Sequence, residues 1–239
     1  MKNRIMRLSI GVIGGSMILT GVIWLLGKTM GDSTSPDRYA GNTLEYWQQQ
    51  VNGKDAGASN AAIAVVISQV IPQLVETMFH DTNDSRLRIS LSEILNGLPG
   101  MQINYTEADG RRGRAVSCIG DFGPAVKSAI PSLIQALKGN DLAIRDHAIA
   151  ALGKIHGQPD VVIPLLISYL EDDNLNDEAA TALGNYGSLA KSAVPKIIPL
   201  LHAADDDAQL AARDALLKID PDAAAKAGVN TNSPTSGKK

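Results

Sequence analysis

Two marks recur along this chain in step with each other, and few folds tolerate that. Cys118-Ile119-Gly120, Ala151-Leu152-Gly153, Ala182-Leu183-Gly184 and Ala215-Leu216-Leu217 follow one another at a nearly constant interval. Ile130-Pro131, Ile163-Pro164 and Val194-Pro195 recur at the same interval and in phase with them. A fixed period of about 32 residues marks stacked supersecondary units.

The chemistry of one unit is legible. The proline sits just inside a helix start, where its missing N–H costs nothing. Apolar residues follow at helical spacing: Leu133, Ile134 and Leu137; Leu165, Leu166 and Leu170; Ile197, Ile198 and Leu201. Polar turns come next, Gly139-Asn140-Asp141, Asp172-Asp173-Asn174 and Asp205-Asp206-Asp207, suited to ending one helix and N-capping another. A second helix then carries Ala148, Ala151, Leu152 and Ile155 toward the first. One pair cannot bury its apolar face alone, whereas stacked pairs share a continuous core. Low aromatic content, 4% of residues, suits close helix contacts better than a β-sandwich.

The stretch Gly123-Pro124-Ala125-Val126-Lys127-Ser128-Ala129-Ile130-Pro131-Ser132-Leu133-Ile134 resembles the HEAT repeat, in particular the bacterial PBS-lyase-like form, and Gly187 to Ile197 repeats it more loosely. The resemblance is strongest over about residues 110–225. It implies an all-α fold, a right-handed α-solenoid of about four to five helical pairs, and a ladder contact between units through Arg145. Upstream, Val70-Ile71-Pro72-Gln73-Leu74 carries the same helix-start mark, so Pro72–His80 and Ser85–Asn96 read as an earlier pair. Residues 97–105 read as an insertion, after which Thr106 and Asp109 open a helix through Ile119. Gly41-Asn42-Thr43-Leu44-Glu45-Tyr46-Trp47 resembles a motif that precedes HEAT arrays in envelope-associated bacterial proteins. Leu44–Val51 then reads as a capping helix whose Tyr46 and Trp47 cover the end of the stack. Asp220-Pro221-Asp222 opens a last short helix.

The ends differ from this body. Lys2, Arg4 and Arg7 precede an uncharged run from Leu8 to Gly27, about the roughly 20 residues that cross a bilayer. Trp24 suits an interfacial anchor, and the basic N-terminus should stay cytoplasmic. Residues 1–30 therefore read as a membrane anchor through residues 8–27, with the folded domain extracytoplasmic. A cleaved signal, leaving a secreted or periplasmic protein, is the alternative. Gly11 and Gly15 have a helix-pairing spacing. Residues 31–42 read as a polar spacer, 43–227 as the solenoid, and 228–239, rich in Asn, Thr, Ser and Gly, as a disordered tail.

Charge is unevenly spread. Asp84–Lys154 holds nine basic and seven acidic residues, whereas Ile155–Ala225 holds four and twelve. A strongly basic nucleic-acid footprint is absent. Arg111, Arg112 and Arg114 form the densest basic cluster, open to an acidic partner or to pairing with Glu107 and Asp109. With Arg145, Asp172, Asp173 and Asp177 they are the candidate partner-binding residues. Cys118 aligns with core alanines and reads as a buried structural cysteine. His80, His147, His156 and His202 share no ligand spacing. Asp146 and His147 adjoin in sequence, which points them to different sides of a helix. Asp205-Asp206-Asp207 lacks the calcium-loop pattern. No GxSxG, HExxH or P-loop motif is present. Within the resembled family some members assist bilin attachment and another hydroxylates deoxyhypusine through His-Glu iron sites; this chain has no His-Glu dipeptide. The reading is a non-catalytic, membrane-tethered scaffold without a cofactor, engaging a protein or peptide and no nucleic acid. An enzyme-accessory or lyase-like role, a structural envelope role and weak self-association remain open beside it.

Overall fold

The computed structural model describes residues 38–53, 56–81 and 108–229. The expected anchor at 8–27, the helix at Ser85–Asn96, the insertion at 97–105 and the tail from residue 230 lie outside the described residues. The chain divides into two compact units. One takes in Met1–Arg38 and Asn83–Glu107, of which Arg38 alone is described. The other takes in Tyr39–Thr82 and Ala108–Lys239 and is an all-α solenoid.

Where a polar spacer was expected to end, two short strands pair instead: β1 (Arg38–Tyr39) and β2 (Asn42–Thr43). Ala40 and Gly41 both have positive φ, which tight hairpin turns require. Helix α1 (Leu44–Val51) follows at the expected bounds, with Thr43 Oγ1 capping the Tyr46 amide at 3.2 Å. Trp47 is buried and its Nε1 donates to the Tyr39 carbonyl at 2.7 Å. Tyr46 lies edge-on to Trp47 but is exposed, so one of the two expected aromatic residues covers the core.

Helix α2 (Ala56–Val65) runs through a π-turn (Val66–Val70) into α3 (Ile71–His80), which carries Pro72 in its first turn. Gly57–His80 is long and apolar enough to cross a membrane, with mean hydropathy 1.6, but Val66, Val70, Ile71, Leu74 and Met78 are buried in the solenoid core. Helix α4 (Ala108–Asp121) packs against α3. Asp81 and Arg111 fasten that packing with a bidentate pair, at 2.6 and 2.8 Å. Helix α3 thus packs on α4, while the stretch 82–107 between them, expected to hold a helix and an insertion, lies outside the described residues.

Three regular pairs follow. Helix α5 (Ile130–Ala136) pairs with α6 (Leu142–Ile155), and α7 (Pro159–Tyr169) with α8 (Asn176–Tyr186). Helix α9 (Val194–Ile197), continued by a 3-10 turn at Ile198–His202, pairs with α10 (Asp206–Ile219). The second helices α4, α6, α8 and α10 pack side by side in one row. Their core is Leu, Ile and Ala, including Leu133, Ile149, Leu152, Leu166, Leu183 and Leu216.

Pro131 and Pro195 sit in the first turn of their helices, each after a 3-10 segment opened by a glycine of positive φ, Gly123 or Gly187. Pro164 does not. Its unit has a short turn through His156 and Gln158, both at positive φ, so α7 begins at Pro159 and Pro164 lies inside it. Pro164 is the sixth residue of this helix, past the unbonded amides of the first turn, so it forgoes a bond to the Asp160 carbonyl. The polar turns also differ. Asp141 and Asp205 cap α6 and α10, whereas α8 starts after buried Leu175 without a side-chain cap.

Helix α11 (Pro221–Lys226) closes the stack, capped by Asp220 through the Ala223 amide at 3.1 Å. Gly228 turns the chain at φ +82°, and the Val229 amide donates back to Ala224 at 2.9 Å. Val229 is buried, so the folded unit runs past the boundary expected at 227 because this helix-ending motif anchors its apolar residue.

Candidate functional site

The row of second helices is held by an unusually close contact. A Cβ built on Gly120 would lie 2.7 Å from Ala151 Cα, one on Gly153 2.8 Å from Ala182 Cα, and one on Gly184 2.9 Å from Ala215 Cα. Each repeated glycine is the socket for the repeated alanine of the next unit. That explains why Ala151, Ala182 and Ala215 are buried and Cys118 is only partly so. Cys118 is half-buried and packs against the core, so the fully buried reading of this cysteine is corrected.

Above the glycines runs an arginine ladder. Arg112 reaches Asp109 at 2.6 Å and, across to the next unit, Asp141 at 2.8 Å. Arg145 reaches Asp172 of the following unit at 3.5 Å. The matching position in α8 is Asn176, which is buried with no partner for its Oδ1 among the described residues. The structure therefore puts Arg111, Arg112, Arg145 and Asp172 in contacts inside the solenoid, where they fasten unit to unit. Arg114 and Asp173 are exposed, and Asp177 is half-buried on the open side of α8. The sequence missed Asp81 and Asp141 as acceptors because their partners lie 30 and 29 residues away.

Two tyrosines add further ties. Tyr169 donates to the Leu137 carbonyl at 3.1 Å, and Tyr186 to the Gly157 carbonyl at 2.8 Å. Burial pushes the Tyr186 phenol up to about 12.

The faces of α6, α8 and α10 turned away from the first helices form an open surface. Ala143, His147, Ala150 and Lys154 line it from α6; Asp177, Glu178 and Thr181 from α8; Asp207, Leu210, Asp214 and Lys218 from α10. A groove of 210 Å³ lies between α8 and α10, lined by Asp177, Thr181, Asp207, Leu210, Ala211 and Asp214 and ending at Lys218. The carboxyls crowd one another. Burial raises the Asp146 carboxyl above the usual range, and Asp177 raises it further, while His147 opposes the shift. Burial likewise raises Glu178, helped by Asp146 and Asp177. Asp146 and His147, expected on different sides of the helix, come within 3.6 Å of each other.

The histidines are dispersed. His80 sits on Glu76 at 3.3 Å, His147 on the Ala143 carbonyl at 2.7 Å, and His156 edge-on to Tyr186. Among the described residues no three metal-binding side chains converge.

Residues 106–177 match the family model for HEAT repeats. Residues 106–177 carry HEAT repeats. The matched segment holds two of the glycine–alanine sockets in part or whole, Gly120–Ala151 and the glycine of Gly153–Ala182. No curated protein matches the chain. Among solved structures it is similar to the complex of CpcE and CpcF of phycocyanin lyase from Nostoc sp. PCC7120, at 18% identity and a TM-score of 0.50. That match covers 80% of this chain and 69% of the other. At this identity the likeness speaks to the fold alone, an α-solenoid of stacked helical pairs.

Proposed function

We propose that this HEAT-repeat chain is a non-catalytic scaffold that binds a protein or peptide along the open face of its second helices, and that residues 8–27 tether it to a membrane. The observation carrying the first half is the division of labour among charges. Charged groups at the joints between units are consumed by internal contacts, as in Asp81–Arg111, Arg112–Asp141 and Arg145–Asp172. Asp177, Glu178, Asp207 and Asp214, on the open face, make no ion pair with a described residue. Repeat proteins use such extended faces for partners, since stacking leaves them uncovered.

The tether rests on Lys2, Arg4 and Arg7 ahead of the uncharged run, which together favour a cytoplasmic N-terminus and an extracytoplasmic solenoid. Crosslinking of the full-length chain in its own cells, followed by identification of attached proteins, tests the scaffold. A discrete protein adduct is expected; absence of any adduct contradicts it. Carbonate extraction of membranes tests the tether, with the full chain expected in the pellet and a chain lacking residues 1–30 in the supernatant.

A second reading, accessory to a lyase, is supported by the fold shared with the CpcE–CpcF complex. A bilin-binding assay with purified chain separates the two: chromophore binding favours the accessory role.

A further inference from the structure

We propose that the groove between α8 and α10 receives a lysine or arginine side chain from a basic segment of a partner protein, with the aliphatic stem on Leu210 and Ala211 and the cationic head between Asp177 and Asp207. This deepens the scaffold reading and rests on it.

The argument starts from what the groove combines. Leu210 is 42% exposed in the middle of a charged surface. An apolar side chain left open there has no structural task, since Ala208, Ala212, Ala215 and Leu216 already supply the buried face of α10. A lysine or arginine is the side chain that suits both features, because it carries an apolar stem and a charged head. An aliphatic partner residue would leave the carboxylates desolvated without a counter-charge, and an acidic one would be repelled.

The groove also has a direction. The second helices run in register, since Gly184 meets Ala215 and Asp177 lines the same groove as Asp207. Along α10 the order is Asp207, Leu210, Asp214, Lys218. One end is thus acidic from both walls, while the other is closed by the ammonium of Lys218. An incoming cation is drawn to the Asp177–Asp207 end and kept from the Lys218 end. Glu178 of α8 and Asp146 of α6 each feel the charge of Asp177, which extends the complementarity to a segment with more than one basic residue, bounded on α6 by His147 and Lys154.

The test uses the full-length chain and two labelled peptides, one alternating Lys and Leu and one alternating Glu and Leu, read by fluorescence anisotropy. The Lys–Leu peptide is expected to bind and the Glu–Leu peptide not to. Asp177→Asn with Asp207→Asn should weaken Lys–Leu binding about tenfold, as loss of interfacial charge pairs does. Asp160→Asn with Asp222→Asn removes the same charge from other exposed surfaces and should change binding less than about twofold. Circular dichroism checks that each variant folds. Equal loss in both double variants, or equal binding of both peptides, overturns the groove. So does a finding that the groove variant abolishes self-association in sedimentation while leaving peptide binding intact, which would make a second copy the occupant. Each of those results leaves the scaffold reading standing, because that reading is decided by protein adducts formed in cells.

Discussion

Gly153 lies directly beneath Ala182: a Cβ placed on the glycine would be 2.8 Å from both the Cα and the Cβ of the alanine. Neither atom can swing aside, because both are fixed to the backbone of α8. The same socket recurs at Gly120–Ala151 and Gly184–Ala215, where the nearest Cβ–Cβ approaches would be 2.9 and 3.2 Å. The repeat's most visible sequence mark is therefore the contact that sets the spacing between units.

Gly153→Ala should destabilise the solenoid by about 1 to 2 kcal/mol, as overpacking outweighs the better helix propensity of alanine. Gly184→Ala should cost less, its socket being wider. Combining Gly153→Ala with Ala182→Gly should recover part of the loss, because the methyl group merely changes sides. Urea unfolding of the two single variants and the double variant checks this. Purely additive losses would show that the two residues do not press on each other.

The arginine ladder should matter unequally. Arg112 serves two carboxylates at short range, whereas Arg145 meets one at 3.5 Å. Arg112→Met is expected to lose about 1 to 2 kcal/mol and Arg145→Met less than about 1 kcal/mol, since partly exposed pairs contribute little. Unfolding midpoints at low and high salt measure both, and the Arg112 loss should shrink as salt rises.

Much of this was legible before the structure. Periodic marks located the helical pairs from residue 110 onward, because a buried core must repeat whenever its units stack. Leu44–Val51 was legible from the resemblance of Gly41–Trp47 to a motif that precedes HEAT arrays. Pro164 misled, because a proline marks a helix start only when the preceding turn is long enough, and that length is decided by Gly123 and Gly187 against His156. Cys118 misled because alignment shows which face a residue takes, whereas its degree of burial is set by packing that no single repeat spells out. Asp177 was singled out from its charge. Its groove partners Asp207, Leu210 and Asp214 were not, since a groove depends on the register of two helices a whole repeat apart in sequence.

Tyr186 makes a pH prediction with a definite sign. Its phenol is held neutral up to about 12, above the ordinary value of 10, so its contribution to stability is complete below pH 10 and is lost as pH rises through 12. Absorbance titration should show a tyrosine step centred near pH 12. Tyr186→Phe should remove that late step and cost about 1 kcal/mol through the bond to Gly157. A full set of tyrosines titrating together would contradict it.

The open face should oppose stability where it serves binding. Burial raises the carboxyls of both Asp146 and Glu178, and repulsion from Asp177 adds to each, so ionising them at neutral pH weakens the fold. Glu178→Gln is therefore expected to raise the thermal midpoint at pH 7 slightly, with the gain vanishing as pH falls far enough to protonate the native carboxyl. A lower midpoint at neutral pH would mean that Glu178 is a structural group.

The most direct test places a photo-crosslinking amino acid at Thr181, on the open face of α8, and separately at Ser188, on the turn that leads out of that helix, in the full-length chain inside its own cells. A protein adduct that forms at Thr181 and not at Ser188 is the predicted result. Adducts at Ser188 alone, or none at either position, would contradict a scaffold that binds along its second helices.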